Sequence, residues 1–175
     1  MGTAQQRMRL ADAYHRGDLL AVVSELGDPP DFPNCPHPLD AAVGEYPLEY
    51  AIYHSPPAFI RTPLERGANP NYQSAGGFPA LIAAISTKRA ERHEIVAMLL
   101  SFGADVQQRG INDWTAFHYA VARRDLKAIE ILLAHGADPD ARTRIDDRTT
   151  PLEDANAVGL GEAVRALLEG HSRTG

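Results

Sequence analysis

Cys35 and His37 lie two residues apart inside a proline-rich run. A zinc site needs three or four donors at defined spacing, and Cys35 is the only cysteine of the 175-residue chain, so no metal is expected. A single cysteine also forms no internal disulfide and implies no oxidising compartment. Gly76-Gly77 has no strand-to-helix junction around it and does not read as a phosphate cradle. No nucleophile, base and orienting acid can be picked out by type and spacing, so neither a reaction nor a cofactor is expected. The chemistry that remains is recognition. Aromatics are sparse at 7%, yet Trp114, the one tryptophan, and Phe78 stand in related contexts. Tryptophan, tyrosine and arginine dominate binding hot spots, which draws attention to Tyr53, Trp114, Arg123, Arg144 and Arg148.

The elements that must position these residues show up as a repeat. Gly67-Ala68-Asn69, Gly103-Ala104-Asp105 and Gly136-Ala137-Asp138 recur at spacings of 36 and 33. Leu99-Leu100 and Leu132-Leu133 precede the last two. A second string, apolar-x-x-Ala, interleaves with the first as Leu48/Ala51, Leu81/Ala84, Phe117/Ala120 and Leu152/Ala155, with a degenerate copy at Leu10/Ala13. Thr115 and Thr150 stand where a hydroxyl can cap a helix N-terminus. Pro47 and Pro151 stand at the first helical position, where a missing N–H costs little. Ile95, Met98, Leu99 and Ile129, Leu132, Leu133 keep helical spacing. Each glycine falls just past an apolar run, where a left-handed residue ends a helix.

Paired helices at a period of 33–36 residues resemble the ankyrin repeat, whose mark is Thr-Pro-Leu-His-x-Ala. The nearest copies are Thr115-Ala116-Phe117-His118-Tyr119-Ala120 and Thr150-Pro151-Leu152-Glu153-Asp154-Ala155. Looser ones are Tyr46-Pro47-Leu48-Glu49-Tyr50-Ala51 and Pro79-Ala80-Leu81-Ile82-Ala83-Ala84. The resemblance implies an all-α solenoid of stacked helix-turn-helix units with projecting hairpin-like fingers, in one domain over 1–175. Five units are expected: an N-terminal cap at 6–27, then 46–67, 79–103, 115–136, and a C-terminal cap at 150–170. His118 falls on the family's histidine, whose ring bonds within the finger–helix junction. His135 sits where it can favour a helix C-terminal dipole.

Departures from the repeat carry what is individual to this chain. The stretch 28–45 is seven residues longer than the standard finger and holds five prolines between Pro29 and Pro38, so a stiff, extended finger is expected. Three extra residues in the third unit fall to the helix–helix loop between Thr87 and His93. Pro63 occupies a Leu-Leu slot, where a proline costs about 3 kcal/mol. Its helix should be short and bent, or its unit soft.

The resemblance implies that partners bind a concave face built from fingers and the exposed side of the first helices. The slot before the threonine holds Glu45, Phe78, Trp114 and Thr149. The inward first-helix slots hold Tyr53 and His54, Ser86 and Thr87, Ala122 and Arg123, Ala157 and Val158. Tyr53, His54, Phe78, Trp114, Arg123, Arg144 and Arg148 are the expected contact residues. The competing reading is that Phe78 and Trp114 only pack on one another and on neighbouring fingers. Arg109, Arg123, Arg142, Arg144 and Arg148 crowd the later units, against Asp40, Glu45 and Glu49 early. Either they face an acidic partner, or they are solvated and neutralised by Asp146 and Asp147. The second is preferred, because isolated surface charge contributes little.

A net charge of -6 is a poor start for a nucleic-acid binder. Met1 to Leu10 has no apolar signal core, and no run is long enough to span a membrane. The expectation is a cytoplasmic monomer that binds another protein, with no nucleic acid, no membrane and no cofactor, as adaptor, inhibitor or immunity-type protein. The alternative is a regulatory or structural subunit of an enzyme complex.

Overall fold

The computed structural model describes residues 4–36, 45–72, 78–145 and 148–172. His37, Pro38, Asp40, Gly76, Gly77, Asp146 and Asp147 lie outside the described residues. Among the described residues ten α-helices follow one another in pairs: α1 (Ala4–Arg16) with α2 (Leu19–Glu25), α3 (Pro47–His54) with α4 (Pro57–Glu65), α5 (Ala80–Ser86) with α6 (Arg92–Ser101), α7 (Ala116–Ala122) with α8 (Leu126–Ala134), and α9 (Pro151–Ala157) with α10 (Gly161–Ser172). Among the described residues no strand occurs.

The pairs stack in sequence order. First helices form one row, α1 on α3, α3 on α5, α5 on α7 and α7 on α9. Second helices form another, α4 on α6, α6 on α8 and α8 on α10. The repeated alanine explains how close the first row can be. Ala13, Ala51, Ala84, Ala120 and Ala155 are all 0% exposed, and a single methyl lets neighbouring backbones approach. The apolar partner of that alanine fills the layer between units: Leu10, Leu48, Leu81 and Phe117 are buried. In the second row Ile95, Leu99, Ile129 and Leu132 are sealed from water.

Helix ends follow the local chemistry. Thr150 caps α9 through a box in which the Glu153 N–H donates to Thr150 Oγ1 (3.1 Å) and the Thr150 N–H donates to Glu153 Oε2 (2.9 Å). Pro47 and Pro151 open α3 and α9. Gly103, with φ +85°, turns the chain out of α6, and the Ala104 N–H returns to the Leu99 carbonyl.

Adjacent fingers are joined by an amide ladder. Asn34 donates to the Gly67 carbonyl (3.0 Å) and accepts from the Asn69 N–H (2.7 Å). Asn71 repeats the pattern one unit on, with the Gly103 carbonyl (2.9 Å) and the Asp105 N–H (2.7 Å). Gln107 donates to the Gly136 carbonyl at 3.0 Å. Loop carbonyls that would otherwise need water thus become inter-unit bonds.

Three departures have structural outcomes. Residues 29–36 wind through consecutive turns, with the Phe32 N–H on the Pro29 carbonyl (3.1 Å) and the Asn34 N–H on the Asp31 carbonyl (2.8 Å). This part is folded against the stack, with Cys35 buried, rather than extended as a rod; residues 37–44 lie outside the described residues. The lengthened loop of the third unit is 87–91, between α5 and α6. Pro63 lies inside α4, which continues to Glu65 and has nine residues, as many as α8.

Candidate functional site

The strip expected to bind is assembled around a residue the sequence did not single out. Phe78 and Trp114 both meet Tyr119 of α7, at ring-centroid distances of 6.1 and 5.1 Å with steep interplanar angles of 64° and 75°. Such edge-to-face contacts suit aromatic quadrupoles. All three rings are half-buried, so each packs on one side and meets solvent on the other. Packing and exposure therefore coexist in the same residues. Tyr53 on α3 joins the group. Its hydroxyl is pushed up to about 12 by burial, with Glu49 and Tyr119 adding to the shift and Arg123 opposing it. Arg123 is exposed and donates to the Ser86 carbonyl at the end of α5.

His54 lies at the N-terminal edge of the group, its ring 6.2 Å from that of Tyr53. Its ring lies 4.4 Å from Tyr50 and 5.7 Å from His15 of α1, on the N-terminal side of the stack. Burial lowers its basicity, as do the nearby His15 and Arg89. Arg144 is anchored: its Nη2 is 2.5 Å from Asp113 Oδ1, and its backbone N–H donates to Asp113 Oδ2 at 2.7 Å. Arg109 holds the same carboxylate at 2.8 Å. Arg142 is bidentate to Glu153, at 2.8 and 3.0 Å. Arg148 is exposed, and its carbonyl accepts from Arg142. Arg109, Arg142 and Arg144 are therefore paired with Asp113 and Glu153; Asp146 and Asp147, which the sequence suggested as neutralising neighbours, lie outside the described residues.

The finger between α6 and α7 is unusually well fixed. Asn112 and Asp113 both take left-handed φ values, 59° and 60°, between Ile111 and Trp114, whose N–H donates back to the Ile111 carbonyl at 3.3 Å. This is the pattern of a tight hairpin turn of the primed type. It presents Ile111 to solvent and holds Trp114 against α7. Behind it His118 is buried. Its Nδ1 accepts the Thr115 N–H at 3.1 Å and lies 2.9 Å from the Thr115 hydroxyl. That assigns the ring proton to Nε2, which faces the Thr149 carbonyl at 3.4 Å. Burial pulls the ring below its ordinary basicity. His118 is a structural junction, as the resemblance implied. His135 likewise bonds the Ile131 carbonyl at 2.8 Å.

Beside Trp114 the surface dips into a groove of about 420 Å³ between α7, α9 and their fingers. Trp114, Val121, Ala122, Asp154, Ala157 and Val158 line it, together with His118, Thr143 and Thr149. Tyr119 and Asp154 occupy the unspecified position of the Leu-His-x-Ala string, as do Tyr50 and Ala83. That position varies from unit to unit, which is the signal that could have found both residues. Among the described residues no group of three or more His, Cys, Asp or Glu could hold a metal ion, and no helix is long and apolar enough to cross a membrane.

The family model described as "Ankyrin repeats (3 copies)" matches residues 48–143 and 93–174. The chain belongs to the ankyrin-repeat family. It is similar to the alpha-latroinsectotoxin-Lt1a of Latrodectus tredecimguttatus, 30% identical over 127 residues, 72% of this chain and 9% of the toxin. It is 32% identical to the transient receptor potential channel pyrexia of Drosophila melanogaster over 120 residues, 68% of this chain and 12% of the channel. It is 33% identical to the mitochondrial disaggregase of Homo sapiens over 91 residues, 52% of this chain and 12% of that protein. The matches thus span about a tenth of these relatives. Ankyrin repeats are generally modules for protein–protein interaction, and the family is typically non-catalytic.

Proposed function

We propose that this chain is a non-catalytic protein-binding module that acts as adaptor, inhibitor or immunity-type protein. It engages its partner through the finger and inner-helix surface, with Phe78, Tyr119 and Trp114 at the centre and Tyr53 and Arg123 beside them. His54, Arg144 and Arg148 border that surface. The observation that carries the reading is the run of three half-buried rings from adjacent units, alternately supplied by finger and helix. Rigid aromatics lose little side-chain entropy on binding and bury much area. An isolated packing role would bury them fully, as it does Phe117. In this reading the chain is a cytoplasmic monomer and needs no cofactor or nucleic acid.

The test is affinity capture with wild type beside a Phe78→Ala/Trp114→Ala double variant, both checked for folding by circular dichroism. Loss of a hot-spot pair costs about 4 kcal/mol in binding, so a partner retained by wild type should be lost from the variant. Equal recovery of the same partners by both proteins would place the binding surface elsewhere.

A further inference from the structure

The groove beside Trp114 has a charge that the fold does not answer. Three arginines of this half are held by carboxylates: Arg109 and Arg144 on Asp113, Arg142 on Glu153. Arg123 is turned away to the Ser86 carbonyl, and Arg124 donates to the Val158 carbonyl. Asp154 lines the groove, is half-buried, and accepts no hydrogen bond or ion pair on its carboxylate from the described residues. His118 lines the same groove; burial lowers its basicity and the charge of Asp154 acts in the opposite direction. A half-buried carboxylate with no cation bonded to it leaves room for a charge-assisted bond to a cation that arrives from outside.

The remaining walls define which cation. Val121, Ala122, Ala157 and Val158 are apolar and suit a methylene stem. The Trp114 indole, stacked near His118 (ring centroids 6.1 Å, 22°) and in steep contact with Tyr119, is half-buried and lines the groove; a planar guanidinium stacks on such a ring while its fork bonds a carboxylate two-pronged. We propose that this groove seats one arginine side chain of the protein partner, with Asp154 as counter-ion and Trp114 as stacking wall. The proposal deepens, and rests on, the reading of the aromatic strip as a protein-binding surface. It makes the partner basic at this point, although the sequence here is rich in arginine.

Trp114, the only tryptophan in the chain, reports on the groove directly. The blocked tripeptides Gly-Arg-Gly, Gly-Lys-Gly and Gly-citrulline-Gly are titrated into the full chain while indole emission is followed. The arginine peptide should give a saturable change. The citrulline peptide, equal in shape but uncharged, should bind at least tenfold more weakly, as should the arginine peptide to Asp154→Asn. That variant is isosteric and breaks no side-chain bond among the described residues, and circular dichroism checks its fold. No saturable change, equal binding of citrulline and arginine, or unaltered binding by Asp154→Asn would overturn the proposal. A lysine peptide that binds as tightly as arginine would overturn the guanidinium assignment. A partner lost by the Phe78→Ala/Trp114→Ala variant yet retained by Asp154→Asn would sink the arginine seat and leave the aromatic strip standing.

Discussion

Asp113 shows how one side chain can hold a finger in shape. Its left-handed backbone costs free energy for a residue with a Cβ, and aspartate is among the few types that tolerate it. The carboxylate then meets two guanidinium groups and one backbone N–H. The Arg144 hydrogen bond, first among the causes, draws its titration down to about 2 from an ordinary 3.8, against the opposing effect of burial. A depressed carboxylate contributes stability above its unfolded value, and the contribution disappears as pH falls toward the folded one. Asp113→Asn should therefore lower the melting temperature by about 2–4 °C at neutral pH. The wild type should lose that advantage between about pH 4 and pH 2. His118 and His54, both depressed by burial, add a separate decline that begins near their unfolded value of about 6.5. The variant should keep this decline. Melting curves of the two proteins that run parallel from neutral pH to pH 2 would show that the clamp contributes no net stability.

Helix α4 is the element in which sequence and packing disagree. Pro63 aligns with Leu99 of α6 and Leu132 of α8, and both leucines are 0% exposed. Proline there removes the N–H that would bond the Phe59 carbonyl, yet the helix runs on because Pro63 is buried and the turn beyond it is closed by the Ala68 N–H on the Pro63 carbonyl (2.9 Å). Pro63→Leu restores about 3 kcal/mol of helix propensity. It gives back about 0.4–1 kcal/mol of unfolded-chain entropy and about 1 kcal/mol for a side chain larger than the site was shaped for. The expected net gain is about 1 kcal/mol in chemical denaturation. A loss of that size would mean that the neighbouring units have moulded themselves to the ring, so that the defect belongs to the interface and not to the helix.

The stack as a whole was legible because its signals are local and recur. Capping residues, helix-ending glycines and the Leu-x-x-Ala string each state a backbone conformation within a few residues, and repetition makes them mutually confirming. Tyr119 fills the variable position of the repeat, where a sequence signal existed, but the Arg144–Asp113 clamp and the Asn71 ladder were not legible, because each joins residues about one unit apart whose approach depends on how units rotate against each other. The same one-dimensional order sets how damage should spread. Helix α10 packs on α8 and α9, with buried Leu160 just before it, buried Val164 within it and Leu167 and Leu168 at its margin, while Glu162, Arg165 and Glu169 stay wet. A chain ended at Gly159 loses that cover. At roughly 1.5 kcal/mol or more for each apolar side chain no longer buried, the cost is at least about 3 kcal/mol. In a solenoid each unit senses only its neighbours, so the loss should be graded. Hydrogen exchange should show α7, α8 and α9 losing protection while α3 and α4 keep theirs, and emission from Trp114 should shift as its groove loosens. Uniform loss of protection from α3 to α9 would show that the units unfold as one body. Unchanged protection in α8 would show that α10 is no part of the stack.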